Sequence, residues 1–127
     1  MVWTDIHHYL EPSQFIAGGG ILVGEYANTA TDSGATIYWS TIQGAVSEAD
    51  YMIGTERNSE LVRMASYAPT MEHFDLAEWS PDLIGLDSRP GSLTGSASYF
   101  VQKLFSEVRG DTISPFTTTD TELDPLF

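Results

Sequence analysis

The stretch Ile21-Leu22-Val23-Gly24-Glu25-Tyr26-Ala27 is a short apolar run that carries a single carboxylate near its far end. Such a run predicts a strand that is buried on both faces, as in a parallel sheet. Glu25 lies at the carboxyl end of this predicted strand, where barrels of parallel strands place their catalytic side chains. Because a buried carboxylate is costly unless it is paired or hydrogen-bonded, Glu25 indicates either an ion pair or a working site. On this stretch alone, a Glu that simply leaves the strand for solvent is the simpler interpretation.

Three more segments have the composition of strands. They are residues 2–9, 64–68 and 82–86, and the region around the last of them, residues 72–89, is otherwise expected to be irregular. Gly18-Gly19-Gly20 predicts a flexible hinge before the Glu25 strand. Strands that alternate with helices favour a parallel sheet, so the predicted fold class is α/β.

The first helix is predicted over residues 42–53. Apolar residues recur there at steps of three and four, and Ser40 or Thr41 can cap the start. Gly54 is expected to interrupt the helix, and a second short helical piece is expected to run through residues 60–62. Glu48, on the predicted helix, is more typical of a capping or ion-pair partner than of a catalyst.

The clearest helix lies near the C-terminus. Ser96 or Ser98 can cap its start, and Gly110 is a plausible stop. Its apolar stripe consists of Phe100, Val101, Leu104, Phe105 and Val108. Because a stripe of this kind packs against another element, a sheet or helix elsewhere is expected to cover it.

Composition restricts the classes of function. The chain has 127 residues, enough for one modest domain, and its 5 Lys and Arg against 18 Asp and Glu give a net charge of −13. This charge argues against nucleic acid or an anionic membrane surface as a partner and is compatible with a neutral ligand such as a sugar. There is no Cys, which excludes a disulfide, a thiolate metal site and a Cys nucleophile. The first residues do not resemble a signal peptide and no apolar run could span a membrane, so the protein is expected to be intracellular unless sequence precedes Met1.

Six blocks of sequence, spread over nearly the whole chain, carry a family resemblance. They are Val23-Gly24-Glu25-Tyr26-Ala27, Gly44-Ala45-Val46-Ser47-Glu48-Ala49, Thr55-Glu56-Arg57-Asn58-Ser59, Met64-Ala65-Ser66-Tyr67-Ala68-Pro69, Trp79-Ser80-Pro81-Asp82-Leu83-Ile84 and Gly95-Ser96-Ala97-Ser98-Tyr99-Phe100-Val101-Gln102. In content and order they resemble the C-terminal part of the α-L-arabinofuranosidases of glycoside hydrolase family 51. The resemblance implies a retaining glycosidase that removes terminal α-L-arabinofuranosyl residues from arabinoxylan, arabinan and arabinogalactan and needs no metal or other cofactor.

The same resemblance implies an architecture. Residues 1–114 would be the last strand-helix units of a TIM (β/α)8 barrel, a partial barrel in this chain. Residues 115–127 would be a polar tail that begins a β-sandwich domain, the rest of which is missing. The family also implies an extracellular protein and leaves a homo-oligomer open.

The resemblance assigns roles to particular side chains. Glu25 matches the nucleophile. His7 and Tyr9 match a His-x-Tyr that lines the sugar subsite, and residues two apart on a strand point to the same side. Without the resemblance, an ordinary hydrogen-bonded core histidine is the preferred interpretation of His7. Trp39 and Trp79 lie in predicted loops near the site mouth, where aromatic faces can stack on sugars, although each suits a packing role equally well.

The chain also departs from the family pattern. Retaining hydrolysis uses two carboxyl groups about 5 to 5.5 Å apart, yet the family's acid/base, a Glu in an Asn-Glu pair, has no match because this chain contains no Asn-Glu step. Between Tyr9 and Ile21 lie 11 residues, 10 through 20, where family members have a longer helical connection. Three interpretations therefore stay open. The chain is part of an arabinofuranosidase and inactive alone, a non-catalytic or degenerate fragment with or without sugar binding, or part of a related barrel glycosidase that cuts another linkage.

Overall fold

A computed structural model describes residues 21–76 and 78–115. In chain order, the elements of these residues are β1 (Ile21–Tyr26), α1 (Ile42–Arg57), β2 (Val62–Tyr67), β3 (Met71–His73), β4 (Ile84–Leu86), β5 (Thr94–Gly95) and α2 (Ala97–Glu107). The strand predicted over residues 2–9, with His7 and Tyr9, and the tail from residue 116 lie outside the described residues.

The strand β1 is confirmed and pairs in parallel with β2, which begins two residues before the predicted segment. The register shifts between Val23 and Tyr26, and this irregularity brings both side chains into one core cluster with Ala27 and Tyr67. The prediction that β1 is buried on both faces is wrong, because Leu22 is 36% exposed. Tyr51 and Met52 of α1 pack against this core cluster.

The helix α1 begins where the sequence predicts but ends later. Thr41 is the N-cap, and its side chain accepts a hydrogen bond of 3.0 Å from the N–H of Gly44. The expected break at Gly54 is wrong, because the helix continues to Arg57. One glycine weakens a helix interior by only about 1 kcal/mol, which neighbouring packing can offset. The second helical piece is also wrong, since Val62 already starts β2.

A second sheet has the order β3-β4-β5, with β3 parallel and β5 antiparallel to β4. The strand predicted over residues 82–86 is confirmed for Ile84–Leu86. The expectation of irregular structure over the rest of residues 72–89 is wrong for β3, and β5 lies beyond that range; both strands are too short to show an alternating pattern. The described residues therefore combine helices with parallel and antiparallel strands in two sheets, an α/β arrangement that does not by itself close a barrel.

The helix α2 is capped by Ser96, whose side chain accepts a hydrogen bond of 3.2 Å from the N–H of Tyr99. It ends at Glu107, before the predicted stop at Gly110. Its packed face carries Ser98, which is fully buried, and Gln102. Three members of the predicted apolar stripe are exposed instead: Phe100 by 61%, Leu104 by 57% and Val108 by 71%.

Candidate functional site

Glu25 is the next-to-last residue of β1 and lies half-buried at the carboxyl end of the parallel pair β1–β2. This placement agrees with the sequence prediction. The next residue, Tyr26, stands opposite Tyr67 at the same end of β2. The side chains that hold the ends of β1 and β2 together therefore lie next to Glu25.

The strand ends are locked by a tyrosine–glutamate cluster, which consists of Tyr26, Glu48, Tyr51 and Tyr67. The ring of Tyr26 lies 5.1 Å from that of Tyr51 and meets Tyr67 edge-on at 5.6 Å between centroids. Glu48 reaches in from α1 and is only 4% exposed. Its Oε1 accepts a hydrogen bond of 2.9 Å from the N–H of Asn28 and one of 3.3 Å from the Tyr67 hydroxyl. One carboxylate thus joins α1 to the ends of both strands.

Burial dominates the electrostatics of this cluster. It raises the pKa of Glu48, against the opposing effect of hydrogen bonds from Ser98, Asn28 and Tyr67. It also raises the pKa of Tyr26 to about 12 and holds the pKa of Tyr67 well above its usual value, with Glu48 adding to both shifts. Both hydroxyls therefore stay protonated at neutral pH and act as neutral hydrogen-bonding groups.

Two further contacts attach α2 to this region. The Tyr26 hydroxyl lies 2.7 Å from Nε2 and 3.0 Å from Oε1 of Gln102. The Ser40 and Ser98 hydroxyls are 2.6 Å apart, and the N–H of Ser98 donates to Ser40 Oγ over 3.0 Å. The strand that carries Glu25 is consequently braced by both helices.

The two candidate sugar-stacking residues have different surroundings. Trp39 is half-buried, with its ring 5.9 Å from that of Phe74, whereas Trp79 is 75% exposed. Within residues 21–76 and 78–115 no ring contact joins the two tryptophans. Trp39 therefore has the environment of a packing residue, and Trp79 keeps an accessible aromatic face. Sugar contact stays a prediction for both, as it does for His7 and Tyr9.

Sequence reasoning missed two buried carboxyl groups. Glu48 lies three residues after Ala45 and four before Met52, so helical periodicity already placed it on the packed face of α1. Asp82 is 0% exposed although it precedes β4 in an irregular segment. The sequence predicted Asp82 as the first residue of a strand, and no pattern there predicts that its carboxyl group is buried.

Two kinds of feature are absent from the described part of the chain, a metal-ligand cluster and a membrane-length apolar helix. No three of its His, Asp and Glu side chains are grouped so that they could hold a metal ion. None of its helices has the length and apolar character to cross a bilayer.

A cleft of about 600 Å³ opens between α1, β2 and α2, lined by Met52, Met64 and Phe105 among others. Glu25 is not among its lining residues.

Comparison with known proteins shows that the chain is similar to part of the α-L-arabinofuranosidases. The α-L-arabinofuranosidase C-terminal domain family matches residues 24–124. The probable α-L-arabinofuranosidase A of Aspergillus niger is 38% identical over 98% of this chain and 20% of its own length, and that of Emericella nidulans is 35% identical over 93% and 26%. The solved arabinose-bound α-L-arabinofuranosidase MgGH51 superimposes with a TM-score of 0.68 at 36% identity, over 84% of this chain and 20% of that one. The chain therefore spans about a fifth to a quarter of the length of these relatives.

Proposed function

Because the chain belongs to the α-L-arabinofuranosidase C-terminal domain family, we propose that it is the part of a retaining α-L-arabinofuranosidase that supplies the nucleophile, Glu25. The observation that carries the proposal is the position of Glu25, half-buried at the carboxyl end of a parallel strand pair. This is the edge at which parallel α/β barrels carry their chemistry. The carboxylate attacks the anomeric carbon, and an acid on the opposite side protonates the departing oxygen.

The acid must come from another part of the enzyme. This chain contains no Asn-Glu pair, and it covers about a fifth of relatives such as the Aspergillus niger protein. In this proposal the upstream part supplies the acid/base at about 5 to 5.5 Å from Glu25. This chain alone is then inactive, because an unassisted leaving group and an incomplete sugar subsite remove most of the transition-state stabilisation.

The open side of β2 supports a barrel. Among the described residues, β2 pairs only with β1, and Met64 is 63% exposed beside the cleft against α1 and α2. We assign residues up to 114 to the last strand-helix units of a (β/α)8 barrel whose upstream strands pair with this edge. Residues 115–127 would then begin a following β-sandwich domain.

Family membership supports the choice of substrate class. The proposed substrates are terminal non-reducing α-L-arabinofuranosyl residues of arabinoxylan, arabinan and arabinogalactan, released outside the cell during hemicellulose degradation. A net charge of −13 suits such neutral polymers. Trp79 is the candidate for stacking on the chain of sugars, because its ring is 75% exposed.

A second candidate function is sugar binding without catalysis. It is favoured by the absence of an Asn-Glu pair together with the exposed ring of Trp79. A direct binding measurement of this chain with arabino-oligosaccharides separates it from the first, which requires the rest of the barrel for tight binding.

The enzymatic proposal is tested in a joined enzyme, in which these 127 residues replace the matching segment of the Aspergillus niger relative. This enzyme should hydrolyse 4-nitrophenyl α-L-arabinofuranoside with net retention, and Glu25→Ala should lower turnover by several orders of magnitude. Added azide should restore part of that turnover, because it attacks the anomeric carbon as nitrophenolate leaves and gives the arabinosyl azide of inverted configuration. Glu56→Ala, an exposed change on α1, is the matched control. Near-parental turnover of Glu25→Ala would make Glu25 a structural residue.

A further inference from the structure

Asp82 is fully buried, an unusual environment for a side chain that is normally charged. It is 0% exposed, and neither of its carboxyl oxygens has a hydrogen-bond partner. Glu72, at the centre of β3, likewise has a buried and unpartnered Oε2. Buried polar atoms are nearly always hydrogen-bonded, so three such oxygens in two neighbouring acids indicate something that joins them.

Within residues 21–76 and 78–115, the ionisable groups that act on Asp82 leave it without a donor. They are Glu72 on β3 and Tyr67 on β2. The Tyr67 hydroxyl donates its proton to Glu48 and is therefore not available as a donor to Asp82. At the other end of β3 and β4, His73 acts on Asp87, and Asp87 is ion-paired with Arg89. Arg89, which follows β4 in sequence, is therefore already paired with Asp87.

A fully buried carboxylate beside a half-buried one is a costly arrangement, because the two charges repel each other and Asp82 has lost its water. One proton changes the balance, since it removes a charge and turns the repulsion into a short charge-assisted O–H···O bond. We propose that Asp82 and Glu72 form a proton-binding site, in which Asp82 holds a proton at mildly acidic pH and donates it to the Glu72 carboxylate. This bond ties β3 to the segment that enters β4, and it does not depend on the proposed enzymatic function.

The electrostatics support this assignment. Burial, together with the neighbouring Glu72, raises the pKa of Asp82 to about 7. The folded chain then binds a proton that the unfolded chain releases, because a free Asp has a pKa of about 3.9. The bond contributes its full stability below the unfolded value and loses it as the pH rises through about 7.

The test is the urea midpoint of unfolding of this chain at about pH 5 and about pH 8. The midpoint of the parent should fall at the higher pH. Asp82→Asn should make that fall smaller, because the Asn amide donates to Glu72 at either pH, whereas Glu48, whose pKa burial also raises, contributes equally in both proteins. Asp75→Asn, an exposed change just after β3, is the control and should keep it. An equal fall in the parent and in Asp82→Asn would overturn the proposal.

A second measurement holds even if Asp82→Asn does not fold. The infrared spectrum of the parent with isotope-labelled aspartate should show, at about pH 5, a protonated carboxyl band that moves with the label and disappears at about pH 8. Glu72→Gln should shift this band, because the acceptor of the proton changes. If no label-sensitive protonated carboxyl band is present in the folded parent, Asp82 is ionised and the proposal is wrong.

Discussion

The backbone N–H of Asn28 donates a hydrogen bond of 2.9 Å to Oε1 of Glu48. The helix α1 therefore holds the chain three residues beyond Glu25. The close approach depends on Gly44, because a Cβ there would lie 2.6 Å from Oδ1 of Asn28. The position of the proposed nucleophile therefore depends on the packing of α1. Mutations at this contact can test that dependence.

Glu48→Ala should destabilise the chain. It leaves the N–H of Asn28 and the hydroxyl of Tyr67 buried without an acceptor, at about 1–3 kcal/mol for each group. Glu48→Gln keeps an acceptor oxygen and should lose less. Urea unfolding followed by tryptophan fluorescence measures both changes. Glu56→Ala, exposed on the same helix, should stay within about 0.5 kcal/mol of the parent. Equal losses from the Ala and Gln variants would mean that the two hydrogen bonds contribute little.

Gly85→Ala should displace the ring of Phe74. A Cβ at residue 85 would overlap that ring and lie 2.9 Å from Cη2 of Trp39, so the two aromatic side chains must separate. Overpacking of this kind costs about 1–3 kcal/mol, and Trp39 should become more accessible to a fluorescence quencher. Gly54→Ala is the matched control. A Cβ there meets nothing within 4 Å, and alanine in a helix should stabilise by about 0.5–1 kcal/mol. Unchanged quenching in Gly85→Ala would contradict the predicted displacement.

The larger elements could be predicted from local pattern. In the sequence, β1 and β2 appear as apolar runs. The helices α1 and α2 appear as apolar residues at helical spacing, with the caps Thr41 and Ser96. The strand that carries Glu25 belongs to this group, so the position of the candidate nucleophile was also predictable. Elements of two or three residues, such as β3 and β5, carry no period and were missed.

Pairing between distant residues was not predictable. A helical period shows that Glu48 is on the packed face of α1, but only the fold brings Asn28 and Tyr67 to its carboxylate. The meeting of Glu72 and Asp82 likewise depends on how β3 aligns with β4. The apolar stripe of α2 was predicted to be buried, but such a stripe does not identify the element that covers it.

The exposed stripe predicts self-association of this chain. Phe100, Leu104 and Val108 are each more than half exposed on one face of α2, and Met64 adds apolar surface on the open strand β2. Leu104→Gln should reduce association, because it removes apolar surface while breaking no buried contact. Sedimentation analysis of the parent and the variant measures the change, and Ser106→Gln, polar and exposed on the same helix, is the control. A parent that melts cooperatively as a monodisperse monomer would count against the prediction.

The two tryptophans should separate a packing role from a sugar-binding role. Trp39→Ala loses the ring contact with Phe74 and should lower the free energy of unfolding by about 1–3 kcal/mol. Trp79, which is 75% exposed, should change stability by no more than about 0.5 kcal/mol when replaced by Ala. In the joined enzyme, Trp79→Ala should instead raise KM for arabino-oligosaccharides while KM for the 4-nitrophenyl glycoside changes little, because stacking acts on sugars beyond the cleaved one. Trp79→Phe keeps an aromatic face and should restore most of the affinity. If Trp79→Ala and the parent have the same KM on oligosaccharides, Trp79 makes no contact with substrate.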